Sequence, residues 1–260
     1  MTNLKPVHIV IPMAGMGRRM ARMTAGIPKM LYRPAGGATL LEIAVRGLSV
    51  TFPCAHWTFV TLREYASIVN LDQLCRRAVP SARSVTVKML DAPTCGQLAT
   101  VMTALTSASQ RPLVIHNCDT FVRFESFDSD TLAMWDYIVP VFRSSDPAYG
   151  YCEVGESTGT ITQVSEKIPL CGGLASSGTY IFADEAGFAA VGEEVLSEPL
   201  MAPQSEYFVS LALQQLVRMG RRGTVTHLAE CVPLGTPDEL ERACRSNWFG
   251  VPTSATEVVQ

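Results

Sequence analysis

The run Met13-Ala14-Gly15-Met16-Gly17-Arg18-Arg19-Met20 and the step Ile27-Pro28-Lys29 gather one kind of chemistry near the start of the chain. Lys5, Arg18, Arg19, Arg22, Lys29 and Arg33 all precede the first acidic residue, Glu42. A glycine loop exposes backbone N–H groups. With two arginines and a lysine beside it, and no carboxylate to neutralise them, it is an environment for a polyphosphate. The competing reading makes Gly15 and Gly17 a plain strand-to-helix turn. The adjoining cations favour phosphate.

Two further loci carry charge where chemistry could use it. Pro112-Leu113-Val114-Ile115-His116-Asn117-Cys118-Asp119 is an apolar strand that ends on an isolated aspartate. A carboxylate there lies at the sheet edge that carries the glycine loop, where it can hold Mg²⁺ against phosphate oxygens. Its bland reading is a turn or cap residue. Glu166 and Lys167 are adjacent, so on a strand their side chains would point to opposite faces. A solvated turn before Pro169 is the alternative there.

The elements that must position these residues are legible as changes of period. His8-Ile9-Val10-Ile11 reads as a buried parallel strand. Strands are expected over 7–12, 57–62, 84–90, 112–116, 137–143, 149–154, 159–165, 177–182 and 224–228. Helices are expected over 39–50, 71–79, 96–108, 129–135, 184–196, 205–219 and 237–246. The last opens with Thr236-Pro237-Asp238-Glu239, which supplies a cap, a proline at the first position and acids in the first turn. Strand and helix alternate in the first half, as in a doubly wound sheet. Consecutive strands in the middle, about 137–182, read as an inserted antiparallel patch. The expected fold class is α/β, a Rossmann-like doubly wound, mixed but mainly parallel sheet with that insertion.

Composition limits the alternatives. The chain has 260 residues, 47% of them hydrophobic, and 21 basic against 24 acidic residues. No basic stripe continues past Arg33, so a nucleic-acid surface is not expected. No signal-peptide pattern or run of about 18 apolar residues is present, so no membrane partner is expected and the reading is cytoplasmic. None of the eight cysteines forms a C-x-x-C pair, and they read as small buried hydrophobes. The four histidines are scattered. A nicotinamide fingerprint would need a third glycine where Met20 stands.

Taken together, these residues resemble the signature of the sugar-phosphate nucleotidyltransferases, typified by glucose-1-phosphate thymidylyltransferase, and within them a bacterial branch associated with capsular polysaccharide. The similarity continues through Thr94-Cys95-Gly96-Gln97, Asn117-Cys118-Asp119, Asp146-Pro147-Ala148-Tyr149-Gly150, Glu166-Lys167-Ile168-Pro169, Gly178-Thr179-Tyr180, Ser205-Glu206-Tyr207-Phe208 and Leu234-Gly235-Thr236-Pro237-Asp238. It spans about residues 7–245 in order. The resemblance implies one domain over 1–246, with a nucleotide-binding half to about 125 and an acceptor-binding half beyond it. The stretch 247–260 reads as an irregular tail.

The implied reaction joins a sugar 1-phosphate, or a similar phosphorylated acceptor, to the nucleoside monophosphate part of a triphosphate, with release of pyrophosphate. CTP, dTTP or UTP is the expected donor. By motif position, Arg19 addresses the β- and γ-phosphates and Lys29 the α-phosphate. Asp119 holds Mg²⁺, and Lys167 grips the acceptor's phosphate. Met13, Ala14, Gly15, Met16, Gly17, Arg18, Asp91, Gly96 and Gln97 fall to the nucleotide. Tyr149, Gly150, Glu166, Gly178 and Glu206 fall to the acceptor.

The pattern departs from the family in two places. No acid stands just before Gly235-Thr236, where the family has a second metal-binding aspartate; Glu206, Glu230 or water would complete the site. Asp91 replaces a base-reading glutamine and, as a pure acceptor, would suit the exocyclic amine of cytosine. Three readings therefore stay open: a sugar-phosphate nucleotidyltransferase, a cytidylyltransferase for a non-sugar phosphate or phosphonate, and a non-catalytic nucleotide-binding regulatory module. A homo-oligomer is compatible with all three.

Overall fold

The computed structural model describes residues 6–34, 37–200 and 206–249. Its first strands are β1 (His8–Pro12), β2 (His56–Leu62), β3 (Ser84–Leu90), β4 (Leu113–His116), β5 (Thr120–Phe124) and β6 (Tyr137–Arg143). After these come β7 (Gly150–Val154), β8 (Ile161–Glu166), β9 (Leu174–Ser176), β10 (Thr179–Phe182) and β11 (Gly223–Pro233). The helices are α1 (Leu40–Thr51), α2 (Leu71–Ala78), α3 (Gln97–Met102), α4 (Glu185–Ser197), α5 (Val209–Arg218) and α6 (Pro237–Arg245).

Along the sheet the order is β3-β2-β1-β4-β10-β6-β9-β7-β8, with β11 joining β6 to β5. Strands β1 to β4 are parallel, and β10 enters antiparallel between β4 and β6. The fold is thus mixed α/β with a mainly parallel centre. The order in which strands are added reverses between β1 and β4, where loops from neighbouring strands part and leave a crevice at their carboxyl ends.

Burial follows from the pleat. Ile9 and Ile11 enter one apolar cluster with Leu41, Val45 and Leu48 of α1, while Val10 enters the cluster on the other face with Leu98, Val209 and Leu213. Both faces of β1 are therefore covered, which is why its sequence is apolar without alternation. A third, smaller cluster joins Met20 and Phe121 to Leu234 and Leu240 of α6.

Local capping sets the helix starts. Thr39 and Glu42 form a reciprocal capping box at α1, with Glu42 accepting the Thr39 N–H at 2.7 Å. Asp184 caps α4 and Thr236 caps α6.

Several boundaries differ from the sequence expectation. Residues 129–133 form a tight 3₁₀ turn rather than a helix, because the segment lacks the length to propagate one. Helix α3 stops at Met102 rather than 108, and β11 runs through to Pro233 rather than ending at 228. The expected strand 177–182 starts only at Thr179, as β10, after Gly178, whose φ is +75°, and β9 precedes it outside the expected range. Strand β5 has no counterpart among the expected strands and is held by antiparallel pairing with β11. The helix expected from 205 starts at Val209, and Ser205 lies outside the described residues.

The cysteines also depart from a uniformly buried reading. Cys75, Cys118 and Cys152 are buried and Cys231 is partly so, but Cys54, Cys95, Cys171 and Cys244 are exposed; all eight are free. Of the expected tail, Trp248 packs on Phe121 with ring centroids 5.1 Å apart. Residues 250–260, like Lys5, lie outside the described residues. Among the described residues, no helix is long and apolar enough to cross a membrane.

Candidate active site

The loops at the carboxyl ends of β1 and β4 open into one cleft of about 750 Å³. Ala14, Gly15, Met16, Gly17, Arg18, Arg19 and Lys29 line it from the amino-terminal segment. Gly96, Gln97 and Asp119 join them, and Tyr149, Gly150, Glu166, Lys167, Gly178 and Glu206 come from the inserted strands and the segment before α5. Two expected residues are not among the lining. Met13 is turned into the core at 3% exposure. Asp91 is exposed and accepts from Arg63 Nε at 2.6 Å, because the turn after β2 delivers a guanidinium to the end of β3. The expected base reader therefore stands outside the lining of the cleft, with one carboxylate oxygen engaged by Arg63.

Lys29 opens a 3₁₀ turn against Gly17, so it stands beside the loop that carries Arg18 and Arg19. Its ammonium pairs with the Asp119 carboxylate. Burial alone pulls the lysine down, but the charge of Asp119 and their hydrogen bond outweigh it, and the net shift is upward. Asp119 shows the reverse balance: burial pushes it up, and Lys29 carries it below the usual carboxylate range. Arg19 is near enough for its charge to act on both. Both residues are thus ionised at neutral pH, and the pair is a charged seat for phosphate.

Gly96 shows why the segment before α3 carries no side chain at that position. Its φ is +144°, and a Cβ there would lie 2.5 Å from the Tyr207 N. Tyr207 N–H donates to the Cys95 carbonyl at 3.0 Å, and Leu98 N–H to the Tyr207 carbonyl at 2.8 Å. The loop is laced to the segment that carries Glu206. Gln97 donates its side-chain amide to Asn117 at 2.5 Å.

Glu166 and Lys167 do not diverge to opposite faces as a continuing strand would require. Strand β8 ends at Glu166, and Lys167 takes a left-handed backbone with φ +60°. Both side chains consequently line the cleft. Such a backbone in a non-glycine residue costs on the order of 1 kcal/mol or more and gathers at functional sites. Lys167 Nζ lies 4.5 Å from the centroid of Phe208. Ser210 of α5 donates to Glu166 Oε2 at 2.7 Å. Burial raises the Glu166 carboxyl, with Glu206 adding to the effect and Ser210 and Lys167 opposing it.

One acid in the cleft is absent from the sequence expectation. Glu239 of α6 is 8% exposed. Its Oε1 accepts from the Tyr149 hydroxyl at 2.7 Å, and its Oε2 accepts from Gly235 N–H at 2.8 Å. Its signal in the sequence is that of the first-turn acid of a capped helix, a pattern with a purely local explanation. Glu230, a sequence candidate for the second carboxylate, is engaged elsewhere by Arg123 and Trp248. Among the described residues, no group of three His, Cys, Asp or Glu side chains converges. Asp119 and Glu239 both approach the point where a Cβ on Gly235 would stand. These hard oxygen donors fit Mg²⁺ only if phosphate oxygens and water complete its shell.

No protein-family model matches the chain, and no curated protein matches it in sequence. Solved structures do match in fold. A nucleoside-diphosphate-sugar pyrophosphorylase from Vibrio cholerae superposes with a TM-score of 0.74 at 21% identity, covering 91% of this chain and 99% of that one. UTP-bound UGPase from Acinetobacter baumannii gives 0.72 at 17% identity, covering 96% and 95%. The inositol-1-phosphate CTP transferase of T. maritima gives 0.69 at 14% identity, covering 98% and 100%. From end to end of those relatives, the chain has the fold of the sugar-phosphate nucleotidyltransferases.

Proposed function

We propose that the protein is a nucleotidylyltransferase that moves a nucleoside monophosphate from a triphosphate to a sugar 1-phosphate or similar phosphorylated acceptor. An acceptor phosphate oxygen attacks the α-phosphorus. The bond to the β-phosphate bridging oxygen breaks, and pyrophosphate leaves with that electron pair. No protein nucleophile is needed, only alignment of two anions and neutralisation of the charge on the phosphoryl oxygens.

One observation carries the reading: the glycine loop with Arg19, the Lys29–Asp119 pair, and Glu166 with Lys167 all line one cleft. Arg18, Arg19 and the loop amides would take the β- and γ-phosphates, and Lys29 the α-phosphate. Asp119 would hold Mg²⁺, whose charge offsets the triphosphate's when bound. Lys167 would take the acceptor phosphate, while Glu166, Gly150, Gly178, Glu206 and the ring of Tyr149 would meet its remaining groups. Gly96 and Gln97 would bring main chain and amide to the nucleotide. Residues 1–246 would act as one domain with a nucleotide half and an acceptor half.

Within this reading the donor is CTP, dTTP or UTP, and the product feeds a capsular or related surface polysaccharide in the cytoplasm. The motif order along residues 7–245 supports the polysaccharide assignment. The likeness to the inositol-1-phosphate CTP transferase supports a cytidylyl variant.

A pyrophosphate-release screen crossing CTP, UTP, dTTP, ATP and GTP with sugar 1-phosphates and small phosphorylated compounds tests the assignment. Mg²⁺-dependent release with at least one pair is expected. Triphosphate-dependent thermal stabilisation without release from any pair would instead mark a binding module.

A further inference from the structure

Helix α6 begins with the same four-residue pattern as α1, yet uses it differently. In α1, Glu42 reaches back to the N–H of its own cap, Thr39. In α6, Thr236 caps the Glu239 N–H at 3.3 Å, but the Glu239 carboxylate does not return the bond to Thr236. It spans instead from the Tyr149 hydroxyl, 2.7 Å from Oε1, to Gly235 N–H, 2.8 Å from Oε2. A carboxylate drawn away from a cap it could close, and almost fully buried, is holding something other than its helix.

The two groups it joins belong to different parts of the site. The Tyr149 carbonyl accepts the Lys167 N–H at 3.0 Å, so Tyr149 fixes the backbone of the lysine with the left-handed φ. At the other end, Gly235 packs so closely on Asp119 that a Cβ would strike its carboxylate. Leu234 N–H donates to the Asp119 carbonyl at 2.8 Å. A continuous series of contacts therefore runs Lys167, Tyr149, Glu239, Gly235, Asp119. In-line attack requires reacting atoms about 3 to 3.5 Å apart, and an error of about 1 Å can cost on the order of 100-fold in rate.

We infer that the Glu239 carboxylate, bridging the Tyr149 hydroxyl and the Gly235 amide, is a positioning residue that sets the spacing between the acceptor held at Lys167 and the triphosphate held at Asp119. The inference rests on the nucleotidylyltransferase reading. In this role Glu239 touches neither reacting atom. It acts through the two residues it ties, so its loss should slow the chemical step more than it weakens either ground-state complex.

The test compares wild type, Glu239→Gln, Tyr149→Phe and the double variant in the pyrophosphate-release assay, with kcat and both KM values for one active substrate pair. Glutamine keeps the volume but offers one acceptor oxygen in place of two. Phenylalanine removes only the hydroxyl and keeps the edge contact with Phe142 at 5.1 Å. Each single variant is expected to lose roughly 10- to 100-fold in kcat with both KM values within about threefold of wild type. The double variant should be no slower than the worse single, because one link has been cut twice.

Multiplying losses, or a rise in acceptor KM at unchanged kcat, would overturn the inference, the second by making the Tyr149 hydroxyl, and not only its ring, a direct acceptor contact. If Glu239→Gln does not fold, Tyr149→Phe decides by its split between kcat and KM. A wild-type protein that releases no pyrophosphate with any pair removes the functional reading itself, an outcome distinct from an active wild type with unaffected variants.

Discussion

Lys29 and Asp119, ninety positions apart in sequence, close an ion pair in which both side chains are largely withdrawn from solvent. The pair ties the amino-terminal loop to the end of β4, and it is where stability and proposed chemistry meet. Removing one partner of such a pair leaves an uncompensated charge, which typically costs about 3 to 5 kcal/mol. Lys29→Met should therefore lower stability by roughly 3 kcal/mol in urea titration, and adding Asp119→Asn should recover most of it. A double variant as unstable as the sum of both singles would show the charges to be independent.

Asp119→Ala is expected to abolish Mg²⁺-dependent pyrophosphate release. A protein that still folds, binds triphosphate and turns over without its one carboxylate beside Lys29 would place the ion elsewhere in the cleft.

Lys167→Ala should act on the other substrate. Losing a charge-assisted contact of about 2 kcal/mol predicts a rise of roughly 30-fold in the acceptor's apparent KM, with triphosphate affinity by calorimetry little changed. Weakened triphosphate binding with an unaltered acceptor KM would reverse the two half-sites.

Gly96→Ala must fit a methyl where the Tyr207 backbone stands 2.5 Å away, at a φ of +144°. A loss of roughly 2 kcal/mol or more is expected, together with weaker triphosphate binding, readable in thermal shift with and without nucleotide. An alanine variant as stable as wild type would show that the loop from Cys95 to Gln97 can detach from Tyr207 without cost.

His116 supplies a pH signature. It is fully buried, with its ring between the Thr179 hydroxyl at 2.8 Å and the Thr120 carbonyl at 2.9 Å. The carbonyl can only accept, so Nε2 carries the proton and Nδ1 receives the Thr179 hydroxyl. Burial pushes its pKa down from 6.5 to about 4, against smaller upward pulls from Thr120 and Asp119. Between those values the unfolded chain binds the proton and the folded one does not. Stability should consequently fall as pH drops through this window, by as much as roughly 3 kcal/mol. His116→Gln should flatten the decline, measured as denaturant midpoints at several pH values. An identical slope in the variant would assign the proton uptake to other groups.

Much of this site is legible in the string because its parts are local. An apolar run ending in a glycine loop, a lysine after Pro28, and an aspartate ending another apolar run each show their geometry within about ten residues. Most of the misses are long-range. Strand β5 is defined by β11, more than a hundred positions later, and β9 by β6 and β7. Nothing local to Asp91 announces that Arg63, from the turn after β2, will engage its carboxylate. Glu239 reads as an ordinary first-turn acid because nothing local announces that Tyr149 will arrive opposite it. Strand periodicity sets Glu166 and Lys167 on opposite faces, a rule that holds only while the strand continues.

The position of β11 and α6 at the far end of the described chain has a consequence for biosynthesis. The cationic loop, Lys29 and Asp119 are all translated more than a hundred positions before Leu234, Gly235 and Glu239, which brace them. A nascent polypeptide halted before β11 could already assemble the parallel strands and expose the anion-attracting edge. It would lack the brace, so competence for turnover should arrive abruptly, as α6 leaves the ribosome and docks.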